Sequence, residues 1–479
     1  MKFLREVLSF VKQHSCEIIG IEIAVCVGVY IWMRKNKPYK FIKMHGFTIS
    51  IMALFILIIY TLEAFEHFLI GENWISIADN IFSGAIFSIL CIVTFKIENK
   101  IKNKVEDKQK LRQDYTNIAK KYVEDNLITI KNSGTDEIKY PIIWMGKGNI
   151  LLSNKDNIEV VDYSEDFYQL PAIIENNFKD IFSVHDTSTI YNNINIRVKE
   201  MKIEDNKLYL TTERTTFYNS LVTNRAADYL LTEGLSVREI FETGPRMTPL
   251  CRSKLSNHLG FNGFIESADG YIVFVKRSRD VSIGKETYGD SIGASMKTKY
   301  ALDGNGIFNI DGLEKAIKCE IVDELSIEEK DIDKNTLSII SIYRDCVECG
   351  KPQLLIYAKT TLNAKEITNK FTSKKKEKIN KKKRKMSSKE RKEIKMLKDG
   401  SKLVWIHKND LIDGIIYEEN GIKIKEGREV GKFVTFNNNR KKKTKFDKLR
   451  MVPSASASVY MIEEYLKSMS ELKNKEIKK

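Results

Sequence analysis

The first 95 residues limit the fold of this chain most strongly, because they contain three long apolar segments. These segments cover residues 18–33, 47–62 and 74–95, and each contains at most one charged residue. A helix needs roughly 20 predominantly apolar residues to span a bilayer. The third segment is long enough by itself, and the first two are long enough with their flanks. The pattern predicts a transmembrane region over residues 1–95 with two or three helices.

The distribution of basic residues predicts the orientation of this region. No Lys or Arg lies between Lys43 and Lys96, whereas residues 34–43 carry five basic residues and residues 96–112 carry seven. Loops rich in Lys and Arg stay on the cytoplasmic side. We therefore expect a multi-pass protein of the inner or cell membrane, with the bilayer as a partner and a cytoplasmic soluble part. Glu22, within the first span, is either a functional residue or one satisfied between packed helices or near a helix end.

The positive charge of the chain is local. The formal net charge is +15, and residues 374–398 and 440–450 contribute +11 and +6. The rest of the chain is therefore close to neutral, which argues against a uniformly basic binder. Contact with anionic lipid through 374–398 and 440–450, non-specific contact with nucleic acid, and plain solvated loops all remain open. Aromatic residues are absent between Thr372 and Leu403, so stacking platforms for bases are missing there.

The segment after the membrane region divides into two parts. Residues 96–126 are predicted to form a charged juxtamembrane helix with a thin apolar stripe, which favours a solvated stalk and is compatible with a homo-oligomer. Residues 127–254 are predicted to form a flanking α+β region. In this region "FYNSLVTNRAADYLL" is typical of a helix with Leu221, Ala226 and Leu230 facing inward. His185 is isolated, so it is interpreted as a surface or core histidine.

Residues 255–479 alternate strand and helix patterns, which favours an α+β domain. "GFNGFIESADGYIVFVKRSRD" predicts a strand, a turn and a second strand, followed by a Gly-rich loop and a helix. "LSIISIYRD", "PQLLIYAKTT" and "KLVWIHKNDL" predict three later strands. The terminal helix is expected to begin at Ser454 or Ser456 as its N-cap. Residues 372–400 interrupt this plan as a basic, low-complexity insertion.

The cysteines indicate a reducing compartment. The chain has seven, an odd number without the spacing of a disulfide framework. Cys346 and Cys349 form a lone C-x-x-C, whereas a zinc site normally needs a second pair or histidines at ligand spacing. Two thiols beside a hairpin turn is the favoured interpretation.

The stretch "CEIVDEL", residues 319–325, predicts a helix with a concentrated acidic face. Glu320, Asp323 and Glu324 lie at i, i+3 and i+4 and share one side, opposite the apolar residues Ile321, Val322 and Leu325. Like charges at this spacing repel one another. A hard divalent cation, Mg²⁺ or Mn²⁺, would supply the counter-charge, and an ordinary amphipathic surface helix is the alternative. Asp311 is expected to cap this helix.

The residues around this helix resemble the Nudix hydrolase superfamily, whose signature is G-x5-E-x7-R-E-U-x-E-E-x-G-U, with U aliphatic. "CEIVDELSI" aligns with the second half of the signature, so that Glu320, Asp323 and Glu324 match the metal-binding acids and Asp311 the upstream glutamate. "IVFVKRS" is similar to the family strand that ends in a basic pair, and "GASMK" to its Gly-rich turn. The sequence departs from the signature at Asn305, Cys319 and Ser326, which replace a glycine, the arginine and the final glycine.

The resemblance implies a fold, an activity and a set of roles. The expected fold is α+β, with N-terminal transmembrane helices, the flanking α+β region and a Nudix-like α/β/α sandwich. The expected activity is Mg²⁺-dependent (or Mn²⁺-dependent) hydrolysis of a nucleoside diphosphate-linked substrate. The implied metal ligands are the three acids, with Glu320 and Glu324 also catalytic, and the implied substrate-binding residues are Lys276, Arg277 and Gly293.

Two other functions stay open. A membrane unit joined to a divergent Nudix domain, together with "TTFYNSLVTNRAADY", also resembles the SMODS-associated Nudix domains of bacterial antiviral defence. That resemblance implies a sensor that binds a nucleotide signal without turnover and acts through the transmembrane region. The third function is an inert scaffold held at the membrane by the basic segments.

Overall fold

The structure is a computed structural model that describes residues 111–112, 114–132, 137–183, 192–231, 234–277, 287–381, 403–427, 433–437, 440–444 and 447–477. The expected membrane region, with Glu22, lies outside the described residues, as do His185 and residues 382–400 of the basic insertion. In the described ranges no helix is both long and apolar enough to cross a bilayer. These ranges have a mixed α+β fold, as the sequence predicted.

Short strands make up most of the regular structure. The described strands are β1 (Leu127–Lys131), β2 (Glu137–Leu151), β3 (Ile158–Phe167), β4 (Ile194–Glu204), β5 (Lys207–Thr216), β6 (Gly260–Glu266), β7 (Tyr271–Lys276), β8 (Tyr288–Gly289), β9 (Ile292–Ser295), β10 (Ser338–Asp345), β11 (Lys351–Lys359), β12 (Leu403–His407), β13 (Ile415–Glu418), β14 (Gly421–Ile424), β15 (Val434–Asn437), β16 (Arg440–Lys443) and β17 (Lys448–Arg450).

Helices connect and cover these strands. The described α-helices are α1 (Tyr115–Lys120), α2 (Ala172–Asn176), α3 (Phe178–Ser183), α4 (Phe217–Val222), α5 (Val237–Phe241), α6 (Thr298–Ala301), α7 (Ile310–Leu325), α8 (Ala364–Lys381), α9 (Lys408–Leu411) and α10 (Pro453–Ile477). Helix α7 contains the acidic stretch predicted from the sequence.

One large mixed sheet organises the described residues. Its strand order is β1-β2-β10-β11-β6-β7-β12-β15-β16, with β8 beside β7 and β9 beside β6. Strands β11 and β6 are parallel, whereas β6 and β7, and β10 and β11, are antiparallel. Two smaller sheets, β3-β5-β4 and β13-β14-β17, complete the architecture.

Helices pack on both faces of the large sheet. Alternate residues of β7 enter different cores: Val273 packs in the core that contains Ile317 of α7, and Phe274 packs in the core that contains Val459 of α10. This alternation is the two-residue period of a strand buried on both sides. Helix α7 is therefore fixed to one face of the sheet by a continuous apolar core.

The strands predicted between residues 260 and 407 are confirmed. The expected division at residue 254 differs from the observed pairing of strands on its two sides. Strand β2 pairs with β10, so the boundary expected at residue 254 falls inside one sheet. The described residues up to Phe182, and those from Asn192 onward, belong to one compact unit. Pairing between distant strands is not visible in local periodicity, which explains the difference.

Some local expectations were wrong. In the described part of 96–126 only α1 is helical, and its Ile118 and Ala119 are buried, so this part is packed rather than a solvated stalk. Leu230 is 61% exposed, because α4 ends at Val222 instead of continuing through it. Helix α10 begins at Pro453, one residue before the earlier of the two expected caps; proline suits a first helical position because it needs no amide donor there.

Helix α7 begins in a tight contact with α6. A Cβ added to Gly312 would lie 1.7 Å from the carbonyl oxygen of Ala301, so only glycine allows this approach. The side chain of Asn309 caps the helix by accepting a hydrogen bond from the Gly312 amide at 3.0 Å. Asp311, expected to be the cap, is instead exposed and pairs with Lys155 at 2.5 Å. The contact with α6 therefore sets where the acidic helix starts.

We predict that Gly312→Ala destabilises the protein although alanine is the better helix former. The methyl group would displace backbone, and such overpacking lowers the free energy of unfolding by about 1–3 kcal/mol. Gly304→Ala is the matched control, because a Cβ there meets no atom within 4 Å. Urea unfolding of both variants measures the effect, and equal midpoints would contradict the tight contact.

Candidate functional site

One end of the large sheet gathers charged residues from several strands. Strand β7 ends at Lys276 and β6 begins at Gly260, while β10 ends at Asp345 and β11 begins at Lys351. Because β6 is antiparallel to β7 and parallel to β11, these four termini lie at the same end of the sheet. We call this the charged end. The functional side chains predicted on β7 and α7 interact electrostatically here.

Helix α7 presents two half-buried glutamates and one exposed aspartate. Glu320 and Glu324 are half-buried, whereas Asp323 is exposed. The opposite face is fully buried through Leu313, Ile317, Ile321 and Leu325. The predicted amphipathic helix is therefore confirmed. It ends at Ser326, which has the left-handed conformation (φ 60°) that usually favours glycine and that the aligned signature glycine would adopt most easily.

The Glu324 carboxyl is poorly solvated and repelled by its neighbours. It keeps some solvent access but is surrounded by protein on most sides, and this burial raises its pKa to about 7. The charge of Glu320 adds to the shift in the pKa, while Arg277 and Lys297 oppose it. Burial also raises the pKa of Glu320. Near neutral pH, Glu324 is therefore close to half ionised.

Arg277 follows the last residue of β7 and interacts electrostatically with Glu324. Its backbone amide donates to the Thr287 carbonyl at 2.8 Å, which fixes the end of the strand. Burial lowers the pKa of the Arg277 guanidinium, and the charge of Arg225 lowers that pKa further. The carboxylates of Glu348, Glu324 and Asp290 oppose this shift in the pKa. The predicted basic strand end and the predicted acidic helix are thus electrostatically coupled.

Strand β9 contributes a lysine that the sequence analysis did not select. Lys297, just after β9, places its Nζ 4.0 Å from Oε2 of Glu320. Gly293, expected to bind substrate, is exposed on β9, and a Cβ there would meet no atom within 4 Å. The structure gives no steric reason for glycine at this position. The stretch that was predicted to be a Gly-rich loop contains strand β8 and strand β9, and Gly293 lies in β9.

A second ionic group, also missed from the sequence, lies at the charged end. The Glu348 carboxylate is 3.4 Å from Nε of Arg225 and 3.7 Å from Nζ of Lys351. Lys351 is almost fully buried, and burial lowers its pKa while Glu348 opposes that shift. The sequence signal that could have indicated this ionic group is the run of charged residues in "RDCVECGK", residues 344–351, beside an apolar strand. It was interpreted as a turn, because the charged partner Arg225 lies 123 residues earlier.

The thiol pair belongs to the turn between β10 and β11. Cys346 and Cys349 are both fully buried, and the Cys349 amide donates to the Cys346 carbonyl at 3.2 Å. Burial raises the pKa of both thiols. Among the described residues no cluster of His, Cys, Asp and Glu is arranged to hold a metal ion. The interpretation as a hairpin turn is confirmed.

The absence of a metal-holding cluster among the described residues also concerns the three acids of α7. Because Asp323 is exposed, these acids do not form a three-carboxylate cluster among the described residues. Glu320 and Glu324 fit a smaller role, since Mg²⁺ is commonly held by one or two carboxylates, with waters and substrate phosphate oxygens as its other ligands. Their mutual repulsion is what a bound cation would relieve.

We predict that Glu324→Gln stabilises the metal-free protein at pH 8 but not at pH 5. The folded-state pKa of Glu324, about 7, exceeds the ordinary glutamate value of 4.5, so the native state holds an extra proton between these values. The wild type therefore loses stability as the pH rises through this window, and the glutamine variant does not. The gain at pH 8 should not exceed about 3 kcal/mol. Thermal unfolding in EDTA measures it, with the exposed Glu165→Gln as control; equal gains at both pH values would contradict the assignment.

Comparison of the chain with protein-family models and with curated proteins found no match in either. The likeness to the Nudix superfamily is therefore carried by the residues of α7, β7 and their neighbours. Of these, Glu320, Glu324 and Arg277 interact electrostatically, while Asp323 and Gly293 are exposed.

Proposed function

We propose that the described domain binds a nucleoside diphosphate-linked compound at the charged end and hydrolyses it with Mg²⁺. The observation that carries this proposal is the Glu324 carboxyl, whose pKa of about 7 and electrostatic interaction with Arg277 suit a general base near an anion-binding residue. A base with this pKa is available at neutral pH and still accepts a proton readily. A structural carboxylate in an ordinary ion pair would instead have a lowered pKa.

In this proposal the basic residues bind phosphate and the acidic residues bind the cation. Arg277 and Lys297 bind phosphate oxygens, with Lys276 as a further basic side chain at the strand end. Glu320 and Glu324 would hold the cation, which when bound would polarise the diphosphate and offset its negative charge. The Glu324 carboxylate also takes the proton of the attacking water. The charge of Glu320 raises the proton affinity of Glu324, and the proton then passes from Glu324 to solvent.

The fold supports the proposal without identifying the family. Helices on both faces of a mixed sheet, with an acidic helix beside a basic strand end, agree with a Nudix-like α/β/α sandwich. Cys319, in the place of the signature arginine, is half-buried and carries no charge to orient the acids. This difference is the main reason to expect slow turnover.

The membrane context remains part of the proposal. Three apolar segments and the positive flanks at 34–43 and 96–112 support a multi-pass inner- or cell-membrane protein with this domain on the cytoplasmic side. Lys441, Lys442 and Lys443 of β16 are exposed, which supports contact between this part of 440–450 and anionic lipid. Assembly into a homo-oligomer through the juxtamembrane segment belongs to the same proposal.

A second function is favoured by the incomplete metal site. Asp323 is exposed and Cys319 replaces the arginine, so the domain retains a phosphate-binding end while lacking two features of the signature. Such a domain would sense a nucleotide signal without turnover and pass the binding event to the transmembrane region, as in antiviral defence. The two functions share a ligand class and differ in whether product forms.

We predict that full-length protein with Mg²⁺ releases product from at least one compound of a nucleoside diphosphate panel. Glu324→Gln should reduce the rate by about 10²–10⁴-fold, because it removes the general base. Release of a nucleoside monophosphate and of the second phosphate-bearing product, measured by chromatography, provides the test. Glu165→Gln, an identical change at an exposed carboxylate of β3, should leave the rate unchanged. Absence of product from every compound would reject hydrolysis.

We further predict that Cys319→Arg raises turnover. Residue 319 lies four positions before Asp323, so an arginine there can pair with that carboxylate across one helical turn. Its charge would also lower the pKa of the neighbouring acids and favour cation binding. Steady-state rates with Mg²⁺ compare the variant with wild type. Unaltered nucleotide binding with no product in either protein would favour the sensor.

A further inference from the structure

A row of polar side chains lies along the outer side of β4, beside the charged end. The row joins Asn195 and Arg197 of β4 to Lys297 after β9 and to His258 before β6. Asn195 faces Lys297 and Arg197 faces His258 in antiparallel bridges. Partners in such bridges have side chains on the same face, as do residues two apart in a strand. Asn195, Lys297 and His258 therefore share one face of the structure.

This face is continuous with the acids of α7. Lys297, the partner of Asn195, has its Nζ 4.0 Å from Glu320. Ser295, two residues earlier, lies on the same side, with its Oγ 3.0 Å from Nε2 of His258. The polar row is thus connected to the carboxylate pair through Lys297, and it continues from Lys297 to Asn195 and His258.

Several buried atoms in this row lack a hydrogen-bond partner within the described part of the chain. Both the nitrogen and the oxygen of the Asn195 amide are unpaired, although this residue is only 1% exposed. Nδ1 of the fully buried His258 and the side-chain Nδ2 of Asn257, the residue before it, are also unpaired. Buried polar groups are normally satisfied, so a concentration of such atoms needs a ligand or water to explain it.

An aromatic ring borders the same group. The Phe217 ring is 6.3 Å from the His258 ring between centroids, and the Arg225 guanidinium lies 5.4 Å from the Phe217 centroid on the way to Glu348. Phe217, Ser295 and Lys297 are half-buried, so the group reaches from the interior to the surface. Burial lowers the pKa of His258, and Lys351 and Arg225 lower it further, so the imidazole is neutral at pH 7.

We propose that Asn195, Phe217, Asn257, His258, Ser295 and Lys297 form a nucleobase-binding subsite next to the carboxylate pair. The inference rests on the proposed function, because it assigns the part of the nucleotide beyond the diphosphate. An amide offers one donor and one acceptor side by side, which complements the edge of a base, and an aromatic ring provides a stacking surface. Lys297 contacts both Glu320 of the carboxylate pair and Asn195 of the subsite, so it is placed to bind the phosphate next to the nucleoside.

The test compares ligands with and without a base. Full-length protein in EDTA, which prevents turnover, is titrated calorimetrically with ADP, GDP, CDP, UDP and inorganic pyrophosphate. We expect at least one nucleoside diphosphate to bind about tenfold or more tightly than pyrophosphate, since an amide that meets both its partners contributes at least this much. Asn195→Leu should abolish that preference and leave pyrophosphate affinity within about twofold, because the phosphate-binding residues remain.

The same variant distinguishes recognition from a structural role. Leucine is nearly isosteric and removes two unsatisfied atoms, so the melting temperature of Asn195→Leu should stay level or rise. Asn177→Leu is the matched control: Asn177 is equally buried but donates to the Ile173 carbonyl at 2.9 Å, so this change should lower the melting temperature and keep the ligand preference.

Each outcome decides between the two proposals. Equal affinity of wild type for pyrophosphate and all four nucleoside diphosphates would overturn the subsite and leave the proposed function standing. A lower melting temperature for Asn195→Leu with the preference retained would also overturn it and make Asn195 structural. No binding of any probe in EDTA would also overturn the subsite, whereas the proposed function, which needs Mg²⁺, is judged by the turnover assay with Mg²⁺.

Discussion

The burial of one face of α7 against the large sheet is the constraint on which the rest of the site depends. Four apolar side chains of this helix, Leu313, Ile317, Ile321 and Leu325, are fully removed from solvent. They fix the rotation of the helix, so the acids at i and i+4 cannot turn away from the protein. Glu320 and Glu324 are held where little water reaches them, and this burial raises the pKa of both carboxyls.

Opposing charge at the end of the sheet makes this arrangement tolerable. A desolvated carboxylate is strongly unfavourable unless a cation lies nearby. Arg277 and Lys297 supply positive charge to Glu324, and Glu348 in turn balances Arg225 and Lys351. The compensation for Glu324 remains incomplete, because its pKa stays near 7 rather than falling below 4.5. A cation or a proton is what this residual negative charge would attract.

Local patterns predicted the elements better than they predicted the contacts between them. The short apolar runs of β6, β7, β10 and β11 and the helical period of α7 are set by burial, so they can be read from the residues alone. The cap of α7 could not, because Asn309 and Asp311 are both good caps and the choice depends on the approach of Gly312 to Ala301. Asp323 was expected beside the other acids. It lies at the edge of the same helical face, where its side chain remains exposed to solvent.

The residues that sequence analysis left out come from the region considered to be a separate flanking unit. Asn195 and Arg225 precede residue 254, yet Asn195 bridges to Lys297 and Arg225 pairs with Glu348. No periodicity could indicate these pairings, since each joins positions about a hundred residues apart whose neighbourhood exists only after the strands have paired. The acids that match the signature are thus only some of the charged residues at the charged end. Asn195 and Arg225 lie outside the signature, and under the proposed subsite any preference among nucleotides would come from residues of this kind.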